Sequence, residues 1–286
     1  MEPVERRVDV GQVTLSTRER NGGRPALLAL HGLASNARWW DLVGERLAPR
    51  YRVIAADLRG HGLSDRPATG YDTETVAADV RALCDRLDIG EFVVAGHSWG
   101  AAVALTLAAA ELQRCRGCVC VDGGVGDLRS FFGSSWEEAQ VRMRPPAMSG
   151  ITEALLRAWV GSGPLAEGSD ADTAAEILRG NFEDAGDGTI RPRLDVGRHM
   201  EIAKHLYHFD SDAALLLTTC PVLLASAGDP QAPPPDRRPA VDHALHVLGE
   251  RGRVAWIAGH HDLPVQRPGE VAAAIGDFIN ATTMEG

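Results

Sequence analysis

The stretch Phe92-Val93-Val94-Ala95-Gly96-His97-Ser98-Trp99-Gly100, followed at once by Ala101-Ala102-Val103-Ala104-Leu105, constrains the fold more than any other part of the chain. Apolar residues of β-favouring type run into Gly-x-Ser-x-Gly, and an alanine-rich helical pattern begins without a loop. The pattern therefore predicts a strand, a tight turn and a helix. Such a turn holds Ser98 in an unusual backbone conformation, and Gly96 and Gly100 remove the Cβ atoms that would collide there. The outcome is a hydroxyl at a strand tip, above a helix N-terminus whose free N–H groups can stabilise an anion.

The rest of the chain repeats this strand–helix rhythm. Residues 4–19 alternate around Gly11-Gln12 and predict an antiparallel hairpin at a sheet edge. Ala26–Leu30 is apolar without alternation, as a strand buried on both faces should be. It is followed by the His31-Gly32 loop and a helix from about Trp39 to Leu47. Arg52–Asp57 is a strand, Leu58–Asp65 a glycine-rich loop, and Thr73–Leu87 a helix with Val76, Val80, Leu83 and Leu87 on one face. A strand ends at Asp122, another runs from Pro221 to Asp229, and the last spans Arg253–Gly259, with His260 and His261 at its tip. A helix from Pro268 to Asn280 closes the chain. Alternation of this kind means a mostly parallel sheet with helices on both faces.

Between about 126 and 212 the rhythm stops. Helical pieces at Trp136–Met143, Ile151–Val160, Thr173–Phe182 and Arg198–Phe209 are interrupted by glycine and proline, and no buried-strand pattern appears. The expectation is a core of 1–125 and 213–286 carrying a helical cap at 126–212, inserted before the last two strands. Trp, Phe and Met side chains are frequent there; most should form the cap's own core, with Trp136 and Trp159 as first guesses for residues facing a substrate.

Composition narrows the function classes. The chain has 286 residues, 24% charged, and a formal net charge of −10, which argues against a nucleic-acid surface. Lys204 is the only lysine, a poorly placed candidate for Schiff-base chemistry. Residues 1–7 lack the apolar core of a signal peptide, and the apolar run Ala101–Ala110 is half a membrane span. A cytoplasmic protein, with no membrane partner, is expected. Cys115, Cys118 and Cys120 lie on one strand, where 118 and 120 point to one face and 115 to the other, so they cannot close on one metal. His199, His205 and His208 lack a carboxylate or cysteine at fitting spacing. Neither a dinucleotide nor a Walker-type glycine pattern is present. No metal and no cofactor is expected.

A serine hydroxyl becomes nucleophilic only when a base takes its proton, and the base needs an orienting acid. The strand tips offer Ser98, then Asp229, then His260 or His261, in the order nucleophile, acid, histidine. Here the chain resembles the α/β-hydrolase family, over about residues 4–125 and 213–282. The marks are the His31-Gly32 loop, Asp57-Leu58-Arg59-Gly60-His61-Gly62-Leu63-Ser64, the turn at Ser98, Gly228-Asp229-Pro230, and His261-Asp262-Leu263-Pro264 with Pro268 behind it.

The resemblance implies a capped serine hydrolase with Ser98, Asp229 and His261 as its triad. It favours His261 over His260, because the family pattern puts a proline seven residues beyond the catalytic histidine. It prefers Asp229 to Asp122, which also ends a strand and whose position some relatives use. It places the oxyanion hole at the backbone N–H groups of Leu33 and Trp99, with the Trp99 ring also narrowing the pocket; Asp57 should brace the Arg59–Gly62 loop. The implied activity is hydrolysis of carboxylic esters of small to medium, largely apolar molecules. A lactonase, a carbon–carbon bond hydrolase or a perhydrolase would keep the same triad. A ligand receptor with a nearly idle triad is the alternative from another class, and the expected assembly is a monomer or homodimer. Epoxide- and halide-processing relatives carry aspartate where Ser98 stands.

Overall fold

The computed structural model describes residues 2–148 and 150–283. Eight strands form one sheet: β1 (Val4–Asp9), β2 (Thr14–Arg20), β3 (Ala26–Leu30), β4 (Val53–Asp57), β5 (Phe92–His97), β6 (Cys115–Val121), β9 (Val222–Ala227) and β10 (Gly252–Ile257). Two three-residue strands, β7 (Phe182–Asp184) and β8 (Ile190–Pro192), make a separate ribbon. The main sheet runs in the order β1-β2-β4-β3-β5-β6-β9-β10. From β4 to β10 every pairing is parallel, while the β1–β2 hairpin adds to the β4 edge in antiparallel sense, turning at Gly11 with φ 106°.

The helices are α1 (Asp41–Leu47), α2 (Thr73–Arg86), α3 (Trp99–Ala110), α4 (Leu128–Phe132), α5 (Trp136–Met143), α6 (Glu153–Gly161), α7 (Ala171–Arg179), α8 (Val196–Tyr207), α9 (Ser211–Leu217), α10 (Arg238–Leu248), α11 (Leu263–Gln266) and α12 (Pro268–Thr283). One hydrophobic core packs Leu28, Val94 and Leu224 against α2, α3 and α10. A second, on the opposite face, packs Leu27, Val93 and Leu223 against α1 and α12. Alternate residues of β3, β5 and β9 thus feed opposite cores, which is why these strands are apolar throughout.

The segment between β6 and β9 contains α4 to α9 and the β7–β8 ribbon. Its helices start where side chains can cap free N–H groups: Ser135 accepts from Glu138, Thr152 from Leu155, Asp170 from Thr173, and Asp195 from Arg198. The ribbon corrects the expectation of helix alone, and Phe182, expected at a helix end, begins β7. Three-residue strands are too short to display alternation, so no period-2 signal marks them. Phe182 and Ile190 use the ribbon to form a small core with Leu156. Among the described residues no helix is long and apolar enough to cross a membrane.

Backbones approach closely at the β5–α3 turn. A Cβ on Gly96 would overlap the Gly100 carbonyl oxygen, and one on Gly100 would lie 2.5 Å from the Leu30 and His31 carbonyl oxygens. Neither neighbour is a side chain that can swing away. Gly96→Ala is therefore expected to lower unfolding free energy by about 2 kcal/mol or more in chemical denaturation; unchanged stability would contradict this packing.

Candidate active site

Ser98 follows β5 with φ 54° and ψ −120°, a conformation that L-residues rarely adopt. The strain is held by both flanks, since Ser98 N–H donates to the Val121 carbonyl at 3.0 Å and α3 begins at the next residue. The side chain is thereby lifted off the sheet edge and stays partly exposed.

Across the gap stands His261, in the loop after β10. Its Nε2 lies 2.9 Å from Ser98 Oγ, and its Nδ1 lies 2.6 Å from Asp122 Oδ2. Nδ1 faces a carboxylate and so carries the proton, leaving the Nε2 lone pair to accept from the serine hydroxyl. His260 takes a different place, its backbone N–H donating to Gln266 Oε1 at 2.6 Å.

Asp229, expected to stand behind the histidine, does not. It is exposed and accepts from the Gln231 N–H at 2.8 Å, closing a local turn beyond β9. The position belongs to Asp122, whose side chain is 5% exposed. Asp122 follows β6 with φ 45°, which turns its side chain towards the loop after β10. Its Oδ1 accepts from the Ala227 N–H at 2.9 Å and from Arg237 Nη1. Burial works against its ionisation, but the hydrogen bond and charge of His261, with Arg237 and the Ala227 N–H, bring its carboxyl down to about 2. Partial burial would likewise lower the His261 pKa, yet the hydrogen bond and charge of Asp122 raise it above the ordinary 6.5. The glycine after Asp122 was the available signal: a Cβ on Gly123 would overlap the Ser98 backbone, so β6 and β5 approach closely at this tip.

Three buried histidines hold the surroundings. His31 accepts from the Leu58 N–H at 3.0 Å, with its Nδ1 2.7 Å from the Gly32 carbonyl. His61 accepts from the Ala34 N–H at 3.2 Å, its Nδ1 being 3.0 Å from the Arg59 carbonyl. His97 Nε2 sits 2.8 Å from the His261 carbonyl. A nitrogen facing a carbonyl carries a proton, so each ring donates through that nitrogen. Burial lowers the pKa of His31 to about 4 and of His97 to about 3, and pushes His61 down as well, so all three are neutral at neutral pH. Asp57 accepts from the Ala37 and Leu63 N–H groups at 2.7 and 2.9 Å and ties the neighbouring loop down.

These contacts bring the 32–34 loop against the serine: a Cβ on Gly32 would lie 3.1 Å from Ser98 Cβ. The Leu33 and Trp99 N–H groups donate to no acceptor among the described residues, and the latter sits at the positive end of α3.

Ser98, His261 and Asp122 open into a cavity of about 440 Å³. Trp99, stacked on His61 with ring centres 5.3 Å apart, forms part of its wall. The apolar wall comes from the 126–212 segment: Phe131, Phe132, Met143, Leu206 and Phe209. Neither first guess for this wall is there. Trp136 packs on Tyr207, ring centres 5.7 Å apart, and Trp159 is 61% exposed at a second cavity of about 540 Å³, which touches Ala34 and His61. A list of aromatic residues carries no direction, and helical spacing alone does not say which face of α5 or α6 meets the cavity. Sequence reasoning also passed over Arg237, which lies in the proline-rich loop before α10 and reaches this wall. No group of three or more His, Cys, Asp or Glu able to hold a metal occurs among the described residues.

A family model described as the alpha/beta hydrolase fold matches residues 25–164. The chain is 41% identical over 119 residues to 2-(acetamidomethylene)succinate hydrolase of Mesorhizobium japonicum, a match spanning 42% of each chain. A crystal structure of E-2-(acetamidomethylene)succinate hydrolase superposes with a TM-score of 0.82 and 26% identity, over 97% of this chain and 99% of that one. The enol-lactonase from Burkholderia xenovorans LB400 shares the fold, with a TM-score of 0.70 and 18% identity, over 96% and 100% of the two chains.

The His261–Asp122 contact has a measurable consequence. His261 is a base only when neutral, so the rate of Ser98 acylation should rise with pH through a midpoint above 6.5. In Asp122→Asn the remaining rate should be low and its midpoint lower than in the wild type. A midpoint unmoved by that substitution would separate Asp122 from the histidine.

Proposed function

We propose that this chain, which belongs to the α/β-hydrolase fold family, is a serine hydrolase that cleaves acyl bonds through Ser98, His261 and Asp122. The observation that carries the reading is the unbroken relay from Ser98 Oγ through both nitrogens of His261 to the buried Asp122 carboxylate. A binding protein would gain nothing from a strained serine backed by a depressed carboxyl.

In this reading Ser98 Oγ attacks the substrate's carbonyl carbon while His261 Nε2 takes its proton. The carbonyl oxygen becomes an anion within reach of the Trp99 and Leu33 N–H groups, which need no reorganisation to receive it. As the tetrahedral adduct collapses, His261 returns the proton to the leaving group and an acyl-Ser98 remains. Water, deprotonated by the same nitrogen, attacks that acyl group and frees the acid. Asp122 stays ionised and stabilises the imidazolium formed in each half.

Residues 126–212 act as a cap that chooses the substrate and supplies no chemistry. Burial against Phe131, Phe132, Met143, Leu206 and Phe209 favours an apolar acyl or leaving group, at roughly 0.8 kcal/mol per CH₂ that fits. Esters and lactones suit this scheme equally. A second reading, cleavage of an acyl–nitrogen bond, is supported by the likeness to a hydrolase whose substrate name contains an acetamido group. It needs the same relay, with His261 protonating a nitrogen.

A panel of p-nitrophenyl esters and anilides of rising acyl length tests this. Ser98→Ala should lose at least about 10³-fold in kcat, and a fluorophosphonate should add its mass to Ser98 in the wild type alone. A Ser98→Ala protein that keeps a tenth of the activity would overturn the mechanism. Binding without turnover of any member would favour the receptor reading.

A further inference from the structure

We infer that the catalytic cavity is built for substrates that carry a carboxylate, which Arg237 binds; this rests on the serine-hydrolase reading of the same site. The cavity is otherwise apolar on its cap side, and its wall has one permanent cation among the described residues, the Arg237 guanidinium. Arg237 is placed at the N-terminus of α10 and lines the same cavity as Phe131 and Phe132. Its Nη1 is anchored on Asp122 Oδ1, and its side chain remains 36% exposed. No other hydrogen bond from the guanidinium is found among the described residues. A guanidinium has five N–H donors in a fixed planar fork, so one nitrogen on Asp122 leaves two for a ligand.

The charge inventory fits an anion. Asp122 is ionised and sits between two cationic partners whenever His261 holds a proton. His261 and Arg237 then place two positive charges around one negative charge inside a largely apolar cavity. A substrate carboxylate on the free side of Arg237 would bring that set to neutrality, and would do so most when the imidazolium forms. Two carboxylates oppose it: the exposed Asp236 borders the same wall, and Asp262, the next residue after His261, already acts on the imidazole charge. A cavity of about 440 Å³ holds a short acid beside the reacting carbonyl, with the apolar segment between them lying against the phenylalanines. The class that fits is a small carboxylic acid bearing a second, hydrolysable acyl group.

The test compares two p-nitrophenyl esters of glutaric acid, one with its second carboxyl free and one with it methylated. Wild-type kcat/KM should favour the free acid by about 10-fold or more, and added salt should shrink the preference. Arg237→Met slows both esters, since Asp122 loses a partner, but the ratio cancels that shared effect and should fall to about one. Asp236→Asn should raise the ratio. A wild type that prefers the methylated ester, or an Arg237→Met ratio equal to the wild type, would overturn the inference while leaving Ser98 chemistry intact. A binding measurement does not depend on turnover: by calorimetry 4-phenylbutyrate should bind the wild type at least about 10-fold more tightly than 4-phenylbutyramide, and Arg237→Met should abolish the difference. Equal binding of the two by the wild type would also overturn it.

Discussion

The site depends on one buried carboxylate being held in place and kept ionised. Asp122 follows β6 in a backbone conformation that costs energy, with its side chain almost wholly out of water. Three donors compensate: the Ala227 N–H from the end of β9, Arg237 from the loop before α10, and His261 from the loop after β10. Each comes from a different part of the chain. The carboxylate therefore ties the last two core strands to β6, and the imidazole it holds meets a serine raised on the neighbouring strand β5. Remove the carboxylate and the His261 ring loses both its tautomer and its anchor.

Around this point the polar groups are arranged so that little need move. Neutral His31 and His61 set the course of the 32–34 loop through backbone contacts, and neutral His97 holds the backbone of His261 itself. Because burial suppresses their charge, these rings keep the same hydrogen bonds across the range in which His261 titrates. The division of labour among four imidazoles comes from exposure: three are buried and structural, while the fourth is half-exposed and able to exchange protons.

Much of this was legible in residues 26–30 and 92–105, where continuous apolar strands and the glycine-flanked serine admit few alternatives. The edge hairpin and the helices α2 and α12 were legible for the same reason, since their period and caps agree with the packing. The choice of acid was not. Asp122 and Asp229 both follow buried strands, and sequence position treats them alike. What separates them is three-dimensional: β6 lies next to β5, Gly123 permits its tip to close on Ser98, and a positive φ aims Asp122 at His261. Asp229 lies one strand further out and folds into its own turn. Trp136 and Trp159 failed for a related reason, because residue type does not say where a side chain is aimed: Trp136 packs on Tyr207 and Trp159 stays largely exposed. Arg237 had no signal at all beyond a loop rich in proline.

The His261–Asp122 hydrogen bond is open to direct observation. A proton on Nδ1 held by a buried carboxylate at 2.6 Å should give a resonance far downfield of the amide region in the proton NMR spectrum at neutral pH. That resonance should persist in Asp229→Asn and vanish in Asp122→Asn, with the fold of each variant confirmed by its amide spectrum. Its loss in Asp229→Asn, with retention in Asp122→Asn, would contradict the account and return the orienting role to the end of β9.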